Sequence, residues 1–346
     1  MNNRADKDLA FMLEYENVAW YENGAVRILD RRIYPASVKF VVCRCHEEVA
    51  KAIGDMVTQS EGPYSAARMG MALAAFEVRD KDAATFEEHM AQAARTLAHA
   101  RPTTVRRMEG ITAGCLEVAR KARLEGVPAD AAVFGHAVAA LEEHYGKGGV
   151  TAGYLVDMFP KKGTVMTQCF AETLVGMMLR VARERGLDLR IICPETRPYF
   201  QGARLTASVA RDMGYDVTVI TDNMPAHTIQ QKKVDVFTSA SDIICMDGHV
   251  VNKVGTFQIA IVANYFGIPY FVTGVPDPDH ATIDTVDMEE RDGELCLQAM
   301  GVRTAKQGVK GYYPAFDATP PCLVNGVVTQ RGVFSAYDLH RYFEAG

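Results

Sequence analysis

The 346-residue chain is 48% apolar and 23% charged, a composition that supports a large core and excludes wholesale disorder. Its 37 basic and 43 acidic side chains leave a net charge of −6, which argues against a nucleic-acid surface. No apolar run reaches the roughly 18 residues of a membrane span, and the polar start Met1-Asn2-Asn3-Arg4-Ala5-Asp6-Lys7-Asp8 lacks the apolar stretch of a secretory signal, so a cytoplasmic protein without a membrane partner is expected.

Residues 14–42 read as short strands. Tyr15–Trp20, Ala25–Leu29 and Val38–Val42 are β-rich, and Glu22-Asn23-Gly24 is a hairpin signal between the first two. Four segments then carry apolar residues at helical spacing: His46 to Val57, Ser65 to Val78, Ala83 to Ala100 and Thr103 to Glu125. Pro102 is placed to open the last of them. Gly146-Lys147-Gly148-Gly149 reads as a flexible stretch, and beyond it strands alternate with helices. Thr164–Thr167 precedes a helix from Cys169 to Arg185, Leu189–Cys193 one from about Ala203 to Met213, and Asp216–Ile220 a short one near 225–231. Asp242–Met246 leads to a helix from about Thr256 to Phe266, and Pro269–Thr273 follows as a strand. The expected fold class is α/β. A smaller domain of short strands and helices over 1–145 precedes a Rossmann-like catalytic domain with a parallel sheet over 146–346, where ligands bind beyond the carboxyl ends of the strands.

The eight cysteines include only one close pair, Cys43-Arg44-Cys45, and no CxxC, so free thiols and no clustered metal ligands are expected. There is no GxGxxG after a strand and no GxxxxGK[ST], which disfavours a dehydrogenase or a nucleotide hydrolase. Three segments carry candidate chemistry. Cys169 sits where a strand is expected to turn into a helix. A helix N-terminus lowers a thiol's pKa and its free N–H groups hold phosphate, so Cys169 is either an acid–base group or a buried helix-start cysteine. Glu195, Arg197, Gln201 and Arg204 follow a strand; they suit recognition of phosphate and hydroxyls, or an internal Glu–Arg pair. Asp242 abuts an apolar strand whose burial would raise its pKa, and Lys253 precedes a helix start as a phosphate cation; the alternative is a strand-edge cap, and Asp247-Gly248-His249 reads as an ordinary turn.

Together these segments resemble the methylthioribose-1-phosphate isomerases, whose superfamily includes ribose-1,5-bisphosphate isomerases and the regulatory subunits of a translation-initiation exchange factor. The resemblance rests on Trp20 with Ile28-Leu29-Asp30, Arg101-Pro102-Thr103, Cys169, Glu195-Thr196-Arg197-Pro198 with Gln201-Gly202-Ala203-Arg204, Asn252-Lys253-Val254-Gly255-Thr256, Glu289-Glu290-Arg291 and Pro314–Pro320. It implies Cys169 and Asp242 as the catalytic pair, with substrate contacts from Arg101, Gln201, Asn252 and Lys253. It also implies a homodimer, a sugar-phosphate substrate and no metal or organic cofactor. Where such isomerases carry Arg-Gly-Ala-Pro, this chain has Ser60-Glu61-Gly62-Pro63, and their Gly-Ala-Asp is Ala240-Ser241-Asp242 here. The missing arginine leaves the 5-substituent of the sugar open. The implied reaction is aldose–ketose isomerisation of a ribose 1-phosphate, Cys169 acting as thiolate on C2 and Asp242 as a protonated acid, or the reverse. A bisphosphate isomerase and a non-catalytic regulatory subunit are the alternatives.

Overall fold

The computed structural model describes residues 4–101 and 105–344. They divide into two compact units, one ending at Gly146 and the other beginning at Lys147. The expected helix start at Pro102 lies outside the described residues.

In the first unit the Tyr15–Trp20 segment is not the strand expected. It opens as a helical turn, α1 (Tyr15–Val18), before β1 (Ala19–Glu22). The Asn17 amide donates to the Phe11 carbonyl at 2.8 Å and holds the chain in this turn, a local competitor to extended structure. β1 pairs antiparallel with β2 (Ala25–Leu29), and β2 with β3 (Phe40–Cys43). Asn23 (φ 51°) and Gly24 (φ 72°) form the two-residue turn, whose left-handed residues match the twist of the strands. A Cβ on Gly24 would lie 2.2 Å from the Phe76 ring. Four helices follow: α2 (His46–Gly54), α3 (Gly62–Glu77), α4 (Ala83–Ala98) and α5 (Val105–Leu124). Asp82 caps α4 by accepting from the Thr85 N–H at 2.9 Å.

The next helix, α6 (Ala129–Asp157), runs unbroken through Gly146-Lys147-Gly148-Gly149, which corrects the flexible stretch expected there. Glycine costs about 1 kcal/mol in a helix interior, but here it makes room. A Cβ on Gly148 would sit 3.3 Å from Thr173, and one on Gly149 3.9 Å from Met177 and Arg180.

The second unit continues with β4 (Lys162–Met166), α7 (Thr173–Glu184), β5 (Asp188–Pro194), α8 (Ala207–Asp212, entered through a π-helical turn Gly202–Thr206) and β6 (Asp216–Ile220). Then come α9 (Pro225–Lys232), β7 (Val236–Ala240), β8 (Ile243–Ile244), β9 (Val250–Lys253), α10 (Thr256–Tyr265) and β10 (Tyr270–Thr273). The two-residue strands β11 (Glu290–Arg291), β12 (Gln298–Ala299), β13 (Val302–Arg303) and β14 (Tyr313–Pro314) precede β15 (Phe316–Thr319), β16 (Gly326–Thr329) and β17 (Gly332–Phe334). The main sheet has seven strands in the order β17-β16-β10-β7-β4-β5-β6, all parallel except β17.

The strand expected over Asp242–Met246 is corrected by this sheet. The central strand is β7, just upstream, while β8 joins β9 and β15 in a separate antiparallel sheet. Polar side chains disguise β7 in the sequence. Its Thr238 hydroxyl donates to the Phe271 carbonyl at 2.8 Å, and the Ser239 hydroxyl bonds the Tyr270 hydroxyl at 2.7 Å. Met166, Ile192, Phe237, Tyr270 and Val272 pack with Ile259, Ala260 and Ala263 of α10 into one core. The chain proceeds from β4 to β5 and β6 on one side, then resumes at β7 on the other. Connections diverge at the carboxyl ends of β4 and β7, which opens a crevice there. Among the described residues no helix is long and apolar enough to cross a membrane.

Candidate active site

Cys169 lies in the loop between β4 and α7, four residues before the helix begins at Thr173. The expected placement at the helix N-terminus is therefore corrected. The dipole acts mainly within the first turn, and burial dominates instead. Burial pushes the thiol up to about 11, with Lys253 opposing and Asp242 adding to the rise. The loop is held at its backbone. The Cys169 N–H donates to the Thr196 hydroxyl at 3.2 Å, and the Thr206 hydroxyl donates to the Cys169 carbonyl. Asp222, just past β6, accepts from the N–H groups of Thr196 and Arg197 at 2.8 and 2.7 Å. Cys169, Glu172, Thr196 and Phe200 all have positive φ (58°, 37°, 62° and 58°) without being glycine. Such strain costs about 1–3 kcal/mol per residue and gathers at functional sites.

Asp242 stands two residues past β7, its backbone N–H donating to the Val251 carbonyl at 2.9 Å. Its side chain is exposed, so the apolar surround expected to keep it protonated is absent. Asn252 and Lys253 end β9, and both are buried. The Asn252 amide donates to the Thr256 hydroxyl at 3.0 Å. Lys253 donates to the Ala315 carbonyl at 2.9 Å and stands 4.4 Å above the Phe316 ring. Burial lowers its pKa, while Cys169 and Asp242 act in the opposite sense. Cys169, Asp242 and Lys253 thus lie within electrostatic reach of one another.

Gln201 is buried and its amide oxygen has no hydrogen-bond partner. Gln168, which sequence reasoning missed, is the same. Its Nε2 donates to the Val254 carbonyl at 3.1 Å, which leaves Oε1 as an orphan acceptor beside Cys169. Buried acceptors are almost always satisfied, and these two lie in adjoining loops. A cavity of about 20 Å³, room for one water, is lined by Gln168, Cys169, Thr206, Thr238 and Ser239. A wider groove of about 530 Å³ is lined by Arg197, Asp222, Gly255, Phe257, Tyr313 and Asp317.

Other expected anion contacts are already engaged. Arg197 donates to the carbonyls of Cys296 and Gln298 (3.3 and 2.7 Å), and Arg204 to that of Tyr199 (3.0 Å), while Asp222 holds the backbone of this loop. At the start of α10, Asp317 accepts from the N–H groups of Gly255 and Phe257 at 2.6 and 3.1 Å. A helix start expected to serve phosphate is thus capped by the chain's own carboxylate. Asp247 accepts from the His249 N–H at 3.0 Å around Gly248, an ordinary turn.

The remaining candidates lie in the first unit. Ser60 has φ 59°, Gly62 opens α3, and Glu61 pairs with Arg107 of α5 through two bonds of 3.0 and 2.9 Å. Arg107 also stacks 4.0 Å from the Tyr64 ring centroid, and the charge of the half-buried Arg101 acts on Tyr64. Helix α5 therefore sets a cation beside the loop that lacks its arginine, which no spacing in the sequence signals. Of the other missed residues, Gln168 adjoins Cys169 directly, whereas Thr196, Thr206, Asp222 and Asp317 act through contacts only the fold creates.

Residues 60–336 match the model of the initiation factor 2 subunit family. Named methylthioribose-1-phosphate isomerases from Heliobacterium modesticaldum and Chloroflexus aurantiacus are 32% and 34% identical, the alignments covering 92% and 91% of this chain and 95% and 94% of theirs. The chain belongs to the initiation factor 2 subunit family, among its methylthioribose-1-phosphate isomerases. The crystal structure of 5-methylthioribose 1-phosphate isomerase from Pyrococcus horikoshii superposes with a TM-score of 0.87 at 27% identity, covering 100% of this chain and 99% of that one. A second family structure, the delta subunit of translation initiation factor eIF-2B from A. fulgidus, gives a TM-score of 0.80 at 31% identity, covering 92% and 96%. The isomerase relatives and the wider family thus share one mixed α/β fold built on a mostly parallel sheet, and this family member is an isomerase.

Proposed function

We propose that this enzyme converts 5-methylthioribose 1-phosphate, or a ribose 1-phosphate with a similar apolar 5-substituent, into the ribulose 1-phosphate. The observation that carries the reading is the convergence of Cys169, Asp242 and Lys253 at the crevice of a sheet that we read as Rossmann-like, beside two unpartnered amide oxygens. Lys253 attracts the phosphate, and Gln201 and Gln168 accept from sugar hydroxyls. Arg101 and the Ser60-Glu61-Gly62 segment belong to the substrate-binding set, and the enzyme works as a homodimer in the cytoplasm.

Phosphate on C1 prevents the ring from opening to a free aldehyde. One group must take the C2 proton while another protonates the departing ring oxygen, which gives an enol phosphate. The second group then takes the proton from the C2 hydroxyl, and the first returns its proton to C1. The net change is one hydrogen moved from C2 to C1 and one from the C2 hydroxyl to the ring oxygen as its bond to C1 breaks, with no oxidant or reductant. The partly exposed thiol of Cys169, its pKa raised by desolvation, starts protonated, which suits the acid acting on the ring oxygen. The exposed Asp242 suits the base that carries hydrogen from C2 to C1. This is the reverse of the thiolate-first assignment.

The test is turnover by purified enzyme of ribose 1-phosphates bearing methylthio, hydrogen or phosphate at C5, with ketose phosphate as the readout. The methylthio sugar should be turned over fastest. Preference for the bisphosphate would move the assignment to ribose-1,5-bisphosphate isomerase, and no turnover of any of the three would leave a regulatory role.

A further inference from the structure

Away from the candidate active site, helices α2, α3 and α4 bring three metal-ligating side chains to one point. His46 opens α2 and is 1% exposed, Glu77 ends α3, and His89 lies within α4. His46 Nδ1 is 2.9 Å from Glu77 Oε2, and His89 Nε2 is 2.6 Å from the same oxygen. All three ligand atoms fall within 4.8 Å of one another. Glu47 Oε2 lies 3.3 Å from His46 Nδ1 but stands outside this group.

We propose that His46, Glu77 and His89 form a zinc site, with a water molecule completing the four-coordinate shell. Tetrahedral zinc with bonds of ~2.0–2.1 Å sets its ligand atoms about 3.3 Å apart. The His46–Glu77 and His89–Glu77 contacts need to open by less than about 1 Å, and the two imidazole nitrogens lie within 4.8 Å of each other. The chemistry of the donor set fits as well. Imidazole and carboxylate suit zinc. The His46 backbone N–H donates to Glu77 Oε1 at 2.7 Å, which leaves Oε2 to the imidazoles and orients it as an outer-shell contact would. The residues are separated by 31 and 12 positions along the chain, so no motif announces them. Such an ion would pin three helices of the first unit and would take no part in the isomerisation.

The experiment is zinc binding to the untagged full-length protein, by competition with a chromophoric chelator, and cobalt substitution read by visible absorption. One zinc per chain is expected, with a four-coordinate cobalt spectrum and a higher melting temperature. His89→Ala removes a partly exposed ligand and should weaken binding at least about 100-fold. Isomerase turnover should be the same with and without zinc. Absence of binding to the wild type overturns the proposal. So does binding unchanged in His89→Ala, which would assign the metal to other ligands.

Discussion

In the proposed mechanism the protonation state of Cys169 decides which group acts first, and it can be measured directly. Burial places the thiol near 11, which leaves ~0.1% thiolate at pH 8, against roughly a quarter for an ordinary thiol. Alkylation by iodoacetamide followed over pH, with peptides resolved by mass spectrometry, separates Cys169 from the other seven cysteines. The exposed Cys322 serves as an internal reference. The pH midpoint is the informative quantity, because restricted access slows a buried thiol at every pH without moving its midpoint. The expected midpoint at Cys169 is close to 11. In Asp242→Asn it should fall, because a neighbouring negative charge that disfavours the thiolate is removed; in Lys253→Met it should rise. A wild-type midpoint at or below about 8.5 would refute the thiol-first mechanism and restore the thiolate as the base on C2.

Cys169→Ser should lower kcat by about 10²–10⁴-fold with little change in substrate binding measured by calorimetry; near-normal kcat would remove Cys169 from the proton-transfer path. Asp317, raised by burial to about 6 against about 4 in the unfolded chain, binds its proton more tightly when folded. It therefore favours the fold below pH ~4 and loses that contribution as pH rises to ~6. In Asp317→Asn the urea midpoint should vary less over this window, and an unchanged pH dependence would exclude the titration. Gly202→Ala would put a Cβ 1.8 Å from the Pro194 carbonyl oxygen. Relief must come from moving backbone at the end of β5, so a loss at or above the ~1–3 kcal/mol of ordinary overpacking is expected from urea unfolding, together with reduced turnover.

Some of this was legible in the sequence because it depends on local rules. The period of apolar residues marked α3 and α4, alternation of β-rich and helical stretches marked the parallel sheet, and Asn23-Gly24 marked a turn that demands positive φ. The sequence also separated Cys169, Gln201, Asn252 and Lys253 as chemistry-bearing residues at strand ends. Only the tertiary structure decided what surrounds them. Strand β7 was hidden because Thr238 and Ser239 are satisfied by partners more than thirty residues away. Helix α6 crosses four residues that read as a linker, because its glycines pack close to α7. Desolvation at Cys169, the exposure of Asp242, the Asp317 cap on α10 and the arrival of Arg107 at Glu61 follow the same rule. Sequence states which groups a protein has; burial and the charges that meet in space set whether each holds a proton, and those belong to the fold.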